Sequence, residues 1–340
     1  MGFLRFFLDF GNPFVIFGYA FIYNPMKKII LTTLCCLTAA LTSAREKSPV
    51  TIIMQVSDPQ MGFYADNRDM AYETRTLTKT VEAINRLRPD VVVFTGDYVH
   101  NAADESQWTE FLRIVAEINP RIKTLYLPGN HDVRLEEGSV DVEPYTKHLG
   151  IDRFCVRVNG ILLTGINSDY LKDETRDPSK EENQFRWLAR SLKKKRPSRT
   201  SLVFAHHPFF LRQIDEPDGY STISPEKRRR YFELFRETGV QTVFTGHLHD
   251  NAETSYDNIG MITTSAVGRP LGDAPSGVRI IVIKDRTIIH RYYPLDEIPD
   301  ARTGLIQALR QRSSNSGRYD EAGSTNRPRR FQSVKTIAIG

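Results

Sequence analysis

Short apolar runs alternate with longer segments of helical period along most of the chain. Thr51–Val56 is apolar and rich in β-branched residues, and it ends at Ser57-Asp58-Pro59-Gln60. Leu77, Val81, Ile84 and Leu87 then share one helical face, stopped by Pro89. A second strand-like run, Val91–Thr95, ends at Gly96-Asp97, and Trp108, Phe111, Leu112 and Val115 mark a second helix. A third run, Thr124–Leu127, ends at Pro128-Gly129-Asn130-His131-Asp132. This alternation predicts a parallel sheet with helices on its faces. The second half repeats it. Phe154–Val158 and Ile161–Ile166 flank Asn159-Gly160, a two-residue hairpin signal. Phe185, Leu188 and Leu192 predict a helix, Ser201–Ala205 a strand ending at His206-His207-Pro208, and Glu226–Thr238 a helix with a basic exposed side. Val240–Thr245 is a strand ending at Gly246-His247-Leu248-His249. Four runs with little helix between them follow, around 253–256, 261–265, 278–284 and 287–293, and they predict that the sheet finishes with antiparallel strands. The expected fold class is α/β, partly α+β: two packed mixed β-sheets flanked by helices, in one domain over residues 48–297.

The two ends read differently. Met26-Lys27-Lys28, the apolar run Ile29–Leu41 and Thr42-Ser43-Ala44 have the three parts of a secretory signal, with Arg45 as the first mature residue. Residues 26–44 are therefore expected to be a signal peptide that exports the protein to the periplasm or the exterior. The run is too short to span a bilayer, so no transmembrane helix is expected in the mature chain. Residues 1–25 are aromatic-rich without helical period and read as an artefact of start-site choice. The alternative is an aromatic membrane anchor. Cys35 and Cys36 lie in the apolar run, and Leu34 is a poor residue to precede a lipidated cysteine; Cys155 reads as a buried thiol. Residues 301–340 read as a mostly disordered tail, because 307–330 is Ser, Asn, Gly and Arg rich. Deletion after Asp300 is accordingly expected to be neutral. The formal charge of +5 over 340 residues divides into +2 in residues 1–44, +6 in 301–340 and −3 in 45–300. A mildly acidic domain argues against a nucleic-acid groove. Lys193–Arg196 and Lys227–Arg230 read as solvated helix surface.

Five strand ends deliver metal-binding chemistry: Asp58 and Gln60; Asp97; Asn130 and His131; His206; His247 and His249. In open α/β sheets ligands gather at the carboxyl ends of strands, where the loops converge. A Gly-Asp or a His-Pro alone is usually structural. Gly129-Asn130-His131-Asp132 directly after a strand is far more specific, and the ordered set leaves little room for coincidence.

These motifs resemble the calcineurin-like metallophosphoesterases, whose signature is Asp-x-His, Gly-Asp, Gly-Asn-His-acid, a later His, and Gly-His-x-His. The resemblance covers about residues 50–295. Within the family, Asp58-Pro59-Gln60, Tyr256, Ser265-Ala266, His290-Arg291-Tyr292-Tyr293 and Asp296-Glu297 are similar to the group of animal calcineurin-like Ser/Thr phosphatases, which also carries Gln where most members have His. The resemblance implies the family's two-sheet sandwich and two divalent metal ions, Mn, Fe or Zn, with Asp97 shared. Asp58, Gln60 and His249 would complete one shell, and Asn130, His206 and His247 the other. It implies a hydroxide activated by both metals, with His131 over the leaving oxygen and Asp132 orienting it. The expected substrate is a phosphoester, with a phosphomonoester favoured and phosphoserine or phosphothreonine within that class. A phosphodiesterase is the alternative, and paired mono- and diester substrates separate the two. A non-catalytic scaffold that binds a phospho-ligand is the rival from another class. Loss of Asp97, Asn130 or His131 would have marked it, and all three are present. Arg269, in a loop after a site-proximal strand, is a candidate substrate contact.

Overall fold

β1 is buried along its whole length, and its side chains show why this sequence builds layers. In the computed structural model Ile52, Met54 and Val56 pack outward against helices, while Ile53 packs inward with residues of a second sheet. The structure describes residues 50–136, 139–172, 178–193, 200–284, 286–305 and 336–337. The signal peptide expected at 26–44, the segment before it and tail residues 306–335 lie outside the described residues.

The elements are β1 (Thr51–Val56), α1 (Ala71–Leu87), β2 (Val91–Phe94), α2 (Glu105–Val115), β3 (Lys123–Tyr126), β4 (Arg134–Glu136), β5 (Ser139–Asp141), α3 (Glu143–Leu149), β6 (Phe154–Val158), β7 (Ile161–Gly165), α4 (Pro178–Lys193), β8 (Ser201–Phe204), α5 (Pro225–Thr238), β9 (Thr242–Thr245), β10 (Ala252–Tyr256), β11 (Ile259–Thr263), β12 (Gly277–Lys284), β13 (Thr287–Pro294) and β14 (Thr336–Ile337). One six-stranded sheet runs β14-β13-β12-β1-β2-β3, and the other runs β10-β11-β9-β8-β7-β6. β1, β2 and β3 are parallel, as are β7, β8, β9 and β11. β12 and β13 close the first sheet antiparallel, and β10 and β6 do the same at the edges of the second. The mixed sandwich expected from the sequence is thus present. Ile53, Val91 and Val93 of one sheet meet Leu163, Leu202, Phe204 and Phe244 of the other in a shared apolar layer. Leu77, Val81 and Ile84 of α1 and Trp108 and Phe111 of α2 cover the outer face of β1 and β2. Asn159 (φ 50°) and Gly160 (φ 81°) both turn left-handed, the geometry a two-residue hairpin needs.

Three expectations need correction. The tail does not begin at 301: Arg302 donates to Asp90 Oδ2 at 2.8 Å and to the carbonyls of Arg88 and Val50, and Leu305 is buried. β14 also pairs with β13. The basic side of α5 is not all solvated. Arg228 is fully buried and donates to the carbonyls of Ile223, Ile214, Glu216 and Pro217 and to Thr222 Oγ1. It serves as an internal strut for the 214–223 segment, because a guanidinium can satisfy several orphan carbonyls at once. Cys155 is half-buried rather than buried. Among the described residues no helix is long and apolar enough to cross a membrane.

Candidate metal centre

The carboxyl ends of β1, β2 and β3 in one sheet and β8 and β9 in the other open onto the same place. Their loops are laced together by backbone bonds: Asp58 N–H to Gly96 O (3.1 Å), Gln60 N–H to Asp97 O (2.8 Å) and Gly246 N–H to His206 O (2.9 Å). Gly246 has no room for a side chain, since a Cβ there would run into Ser57 Oγ and Asp58 Oδ2.

His206 lies at the middle. Its Nε2 is 3.1 Å from His247 Nδ1, 3.2 Å from Asn130 Oδ1 and 3.4 Å from Asp97 Oδ2, and its Nδ1 meets the Thr95 carbonyl at 2.8 Å. Asp58 Oδ1 is 3.6 Å from His249 Nε2 and 3.8 Å from His206 Nδ1. The structure therefore brings Asp58, Asp97, Asn130, His206, His247 and His249 together. Gln60 follows on the same loop, buried, with Nε2 3.5 Å from His100 Nδ1.

Electrostatics at the site match a cation centre. Asp97 is fully buried, which alone would raise its pKa, yet His206 and His131 hold it far below the carboxylate range. Burial opposes a charge on His206, but Asp97 and Asp58 outweigh it and push that imidazole up to about 10. The carboxylates thus draw positive charge to the point where they converge. Burial and the neighbouring His206 push His247 down to about 3, so it stays neutral with a lone pair available. Gln60 Oε1 and His247 Nε2 are buried without a hydrogen-bond partner among the described residues. Orphaned lone pairs beside carboxylates, in a mixed N/O donor set, fit a divalent cation.

His131 is half-buried beside this cluster. Its N–H donates to Asp97 Oδ1 at 2.9 Å, and its Nδ1 is 2.9 Å from the His100 carbonyl. The His100 ring stacks on it at 5.0 Å. Burial and the neighbouring His131 lower the His100 pKa. The expectation that Asp132 orients His131 is not met. Asp132 is buried and accepts the N–H groups of Asp97 (2.7 Å), Gly129 (2.8 Å), Tyr98 (2.7 Å) and Val99 (3.3 Å). Both of its oxygens are committed to stapling the loops after β2 and β3.

Sequence reasoning did not anticipate four further groups. Ser57 Oγ donates to Asp58 Oδ2 at 2.5 Å and accepts from Thr95 Oγ1 at 2.8 Å. His207 lies 4.3 Å from His247 ring to ring, and its Nδ1 contacts Ser168 Oγ at 3.0 Å. Asp169 is buried 3.8 Å from that nitrogen, and burial raises its pKa to about 7. Tyr220 covers His247 at 5.1 Å. The second His of His206-His207 was the available signal for this group, since two adjacent imidazoles at a strand end invite it.

Residues 52–251 match the family model described as calcineurin-like phosphoesterase, more than half of the chain. The chain is 32% identical to serine/threonine-protein phosphatase CPPED1 of Rattus norvegicus, over 78% of this chain and 90% of that one. It is 34% identical to the Danio rerio protein of the same name, over 75% of this chain and 88% of that one. A solved dimetal phosphatase from Danio rerio superimposes with a TM-score of 0.54 at 14% identity, covering 73% of this chain and 97% of that one.

Proposed function

The chain belongs to the calcineurin-like phosphoesterase family and is a phosphoester hydrolase, and from that premise we propose that it is a phosphomonoesterase acting with two divalent cations, Mn, Fe or Zn, on phosphoserine- or phosphothreonine-type esters. The observation that carries this reading is the convergence of Asp97, Asn130 and His247 on His206 Nε2, with Asp58 and His249 beside them. Asp97 would be held in common by the two cations, Asp58, Gln60 and His249 would hold one of them, and Asn130, His206 and His247 the other. Bound there, two cations would supply a nucleophile from water at neutral pH and balance charge on the phosphoryl oxygens.

The chain's own residues do the rest. Asp97 Oδ1 holds the His131 backbone, so the residue at the centre of the cation site also sets the place of the proton donor. The His100 carbonyl engages His131 Nδ1 and leaves Nε2 to hydrogen-bond the leaving oxygen. Ser57 fixes one oxygen of Asp58, and the His247 N–H reaches the same carboxylate at 3.1 Å. The buried ring of His207 and the ring of Tyr220 restrict water on the His247 side. The relatives' name supports the monoester preference, and the amide of Gln60 in place of an imidazole agrees with it. The pattern at 26–44 supports export, which recovery outside the cytoplasm with Arg45 as first residue would test.

The direct test is the full-length chain with added Mn, assayed on phenyl phosphate, diphenyl phosphate and a phosphoserine peptide. Faster turnover of both monoesters is expected. Turnover of the diester alone would replace this reading with the phosphodiesterase one.

A further inference from the structure

Arg269 stands on a loop clamped to the metal centre. Val267 N–H donates to Ser57 O at 2.8 Å and Gly268 N–H to Asp58 O at 3.0 Å, while Ser276 Oγ donates to Gly268 O at 2.7 Å. A side chain at Gly268 would collide with the Pro59 carbonyl, so the loop lies flat against the loop that bears Asp58. The Arg269 carbonyl itself meets His249 Nδ1 at 2.6 Å. The backbone of Arg269 is therefore as fixed as the proposed ligand it orients.

Its side chain does something else. The guanidinium is exposed and lies over the rings of Phe63 (5.4 Å) and Tyr64 (5.6 Å). Phe63 packs edge-on against His249 at 5.2 Å, so one ring separates the cation from that imidazole. Tyr64 stacks on Tyr72 at 4.4 Å, and its N–H is held by the Glu73 carboxylate. Two rings on fixed backbone thus pre-orient a guanidinium at the rim of the centre, which lowers the entropy cost of using it. Among the described residues it joins no ion pair and none of its N–H groups is engaged. Stacking on rings uses the face of a guanidinium and leaves its edge donors open to a carboxylate or phosphate.

We propose that Arg269 determines substrate specificity by receiving a second anionic group, carried on the leaving-group side of the phosphoester. The proposal rests on the reading of the centre as a phosphomonoesterase. A second anion can come from an acidic residue beside a phosphorylated one, or from a carboxylate on a small ester.

The test compares wild type, Arg269→Gln and Arg269→Glu on matched pairs. One pair is a phosphoserine peptide with Asp or Asn after the phosphorylated residue. The other is 4-carboxyphenyl phosphate against phenyl phosphate. The ratio of kcat/KM within each pair is the readout. Wild type is expected to favour the anionic member by about fivefold at low salt, with the preference fading as salt rises. Arg269→Gln should bring the ratio to unity and Arg269→Glu should invert it. Preference in the peptide pair alone identifies a peptide source, and preference in both identifies any second anion. Ratios that are the same in all three proteins overturn the proposal. If only diesters are turned over, the phosphomonoesterase reading fails by itself, and the same ratio is read on diphenyl phosphate and its carboxylated analogue.

Discussion

Asp58, Gln60, Asp97, His247 and His249 all sit at positive φ, between 39° and 68°. Non-glycine residues held there cost about 1 kcal/mol or more each, so the surrounding loops hold these side chains against local preference. Site identity and site stability therefore have different sources, and substitutions should separate them. His131 bonds the cluster through its backbone N–H, and its ring is given no cation to hold. His131→Ala should keep both metals while losing about a hundredfold or more in kcat, as metal analysis and turnover on the same sample would show. Loss of metal in that variant would contradict the role given to His131. Gln60→His replaces an amide oxygen with a better donor for Mn, Fe or Zn. The Mn activation curve should shift to lower concentration, and superimposable curves would retire Gln60 as a ligand. The side chains that converge at the centre were legible in the sequence because each follows a short apolar run and because Gly129-Asn130-His131 is rare. Their supports were not. Thr95, His100 and Arg269 act through carbonyls, and a carbonyl leaves no mark on the residue type. Asp132 was misread for the same reason: its partners are four backbone N–H groups, placed by loop conformation alone.

At the scale of elements, hydrophobic period marked α1, α2, α4 and α5 and the strands of both sheets except β14, which falls in the expected tail. It did not mark β4, β5 and α3. Strands of three residues and a seven-residue helix are too short to show a period. The segment after Asp300 escaped in the same way, because Leu305, Ile306 and Leu309 make too short an apolar run to show a period before the Ser-, Asn- and Arg-rich stretch. Its contacts have consequences for truncation. Removing residues 301–340 exposes the surface under Leu305 and frees Asp90, which also accepts the Ile52 N–H at 2.8 Å. The truncated chain should be less stable by about 2 kcal/mol or more, seen as a lower urea midpoint. A chain ending after Leu305 should recover most of that difference, unless the pairing of β14 with β13 carries it instead. An unchanged midpoint for the shorter form would show that Arg302 and Leu305 add nothing.

Across the whole molecule, two sheets with unlike connectivity end their parallel strands at one rim, and the charge of the chain is arranged to suit a cation there. The domain is mildly acidic, the basic excess lies toward the ends, and two buried carboxylates face imidazoles at the centre. Cations held there would give the buried carboxylates of Asp58 and Asp97 partners of opposite charge. Binding to the folded state alone must therefore stabilise it. The most direct measurement is metal content and phosphomonoester turnover on one preparation, for wild type, for wild type after exhaustive chelation and for Asp97→Asn. Two metals per chain with turnover are expected in wild type, loss of turnover on chelation with recovery on adding Mn, and joint loss of metal and rate in Asp97→Asn. Full turnover in the metal-free protein, or in Asp97→Asn, would contradict the account.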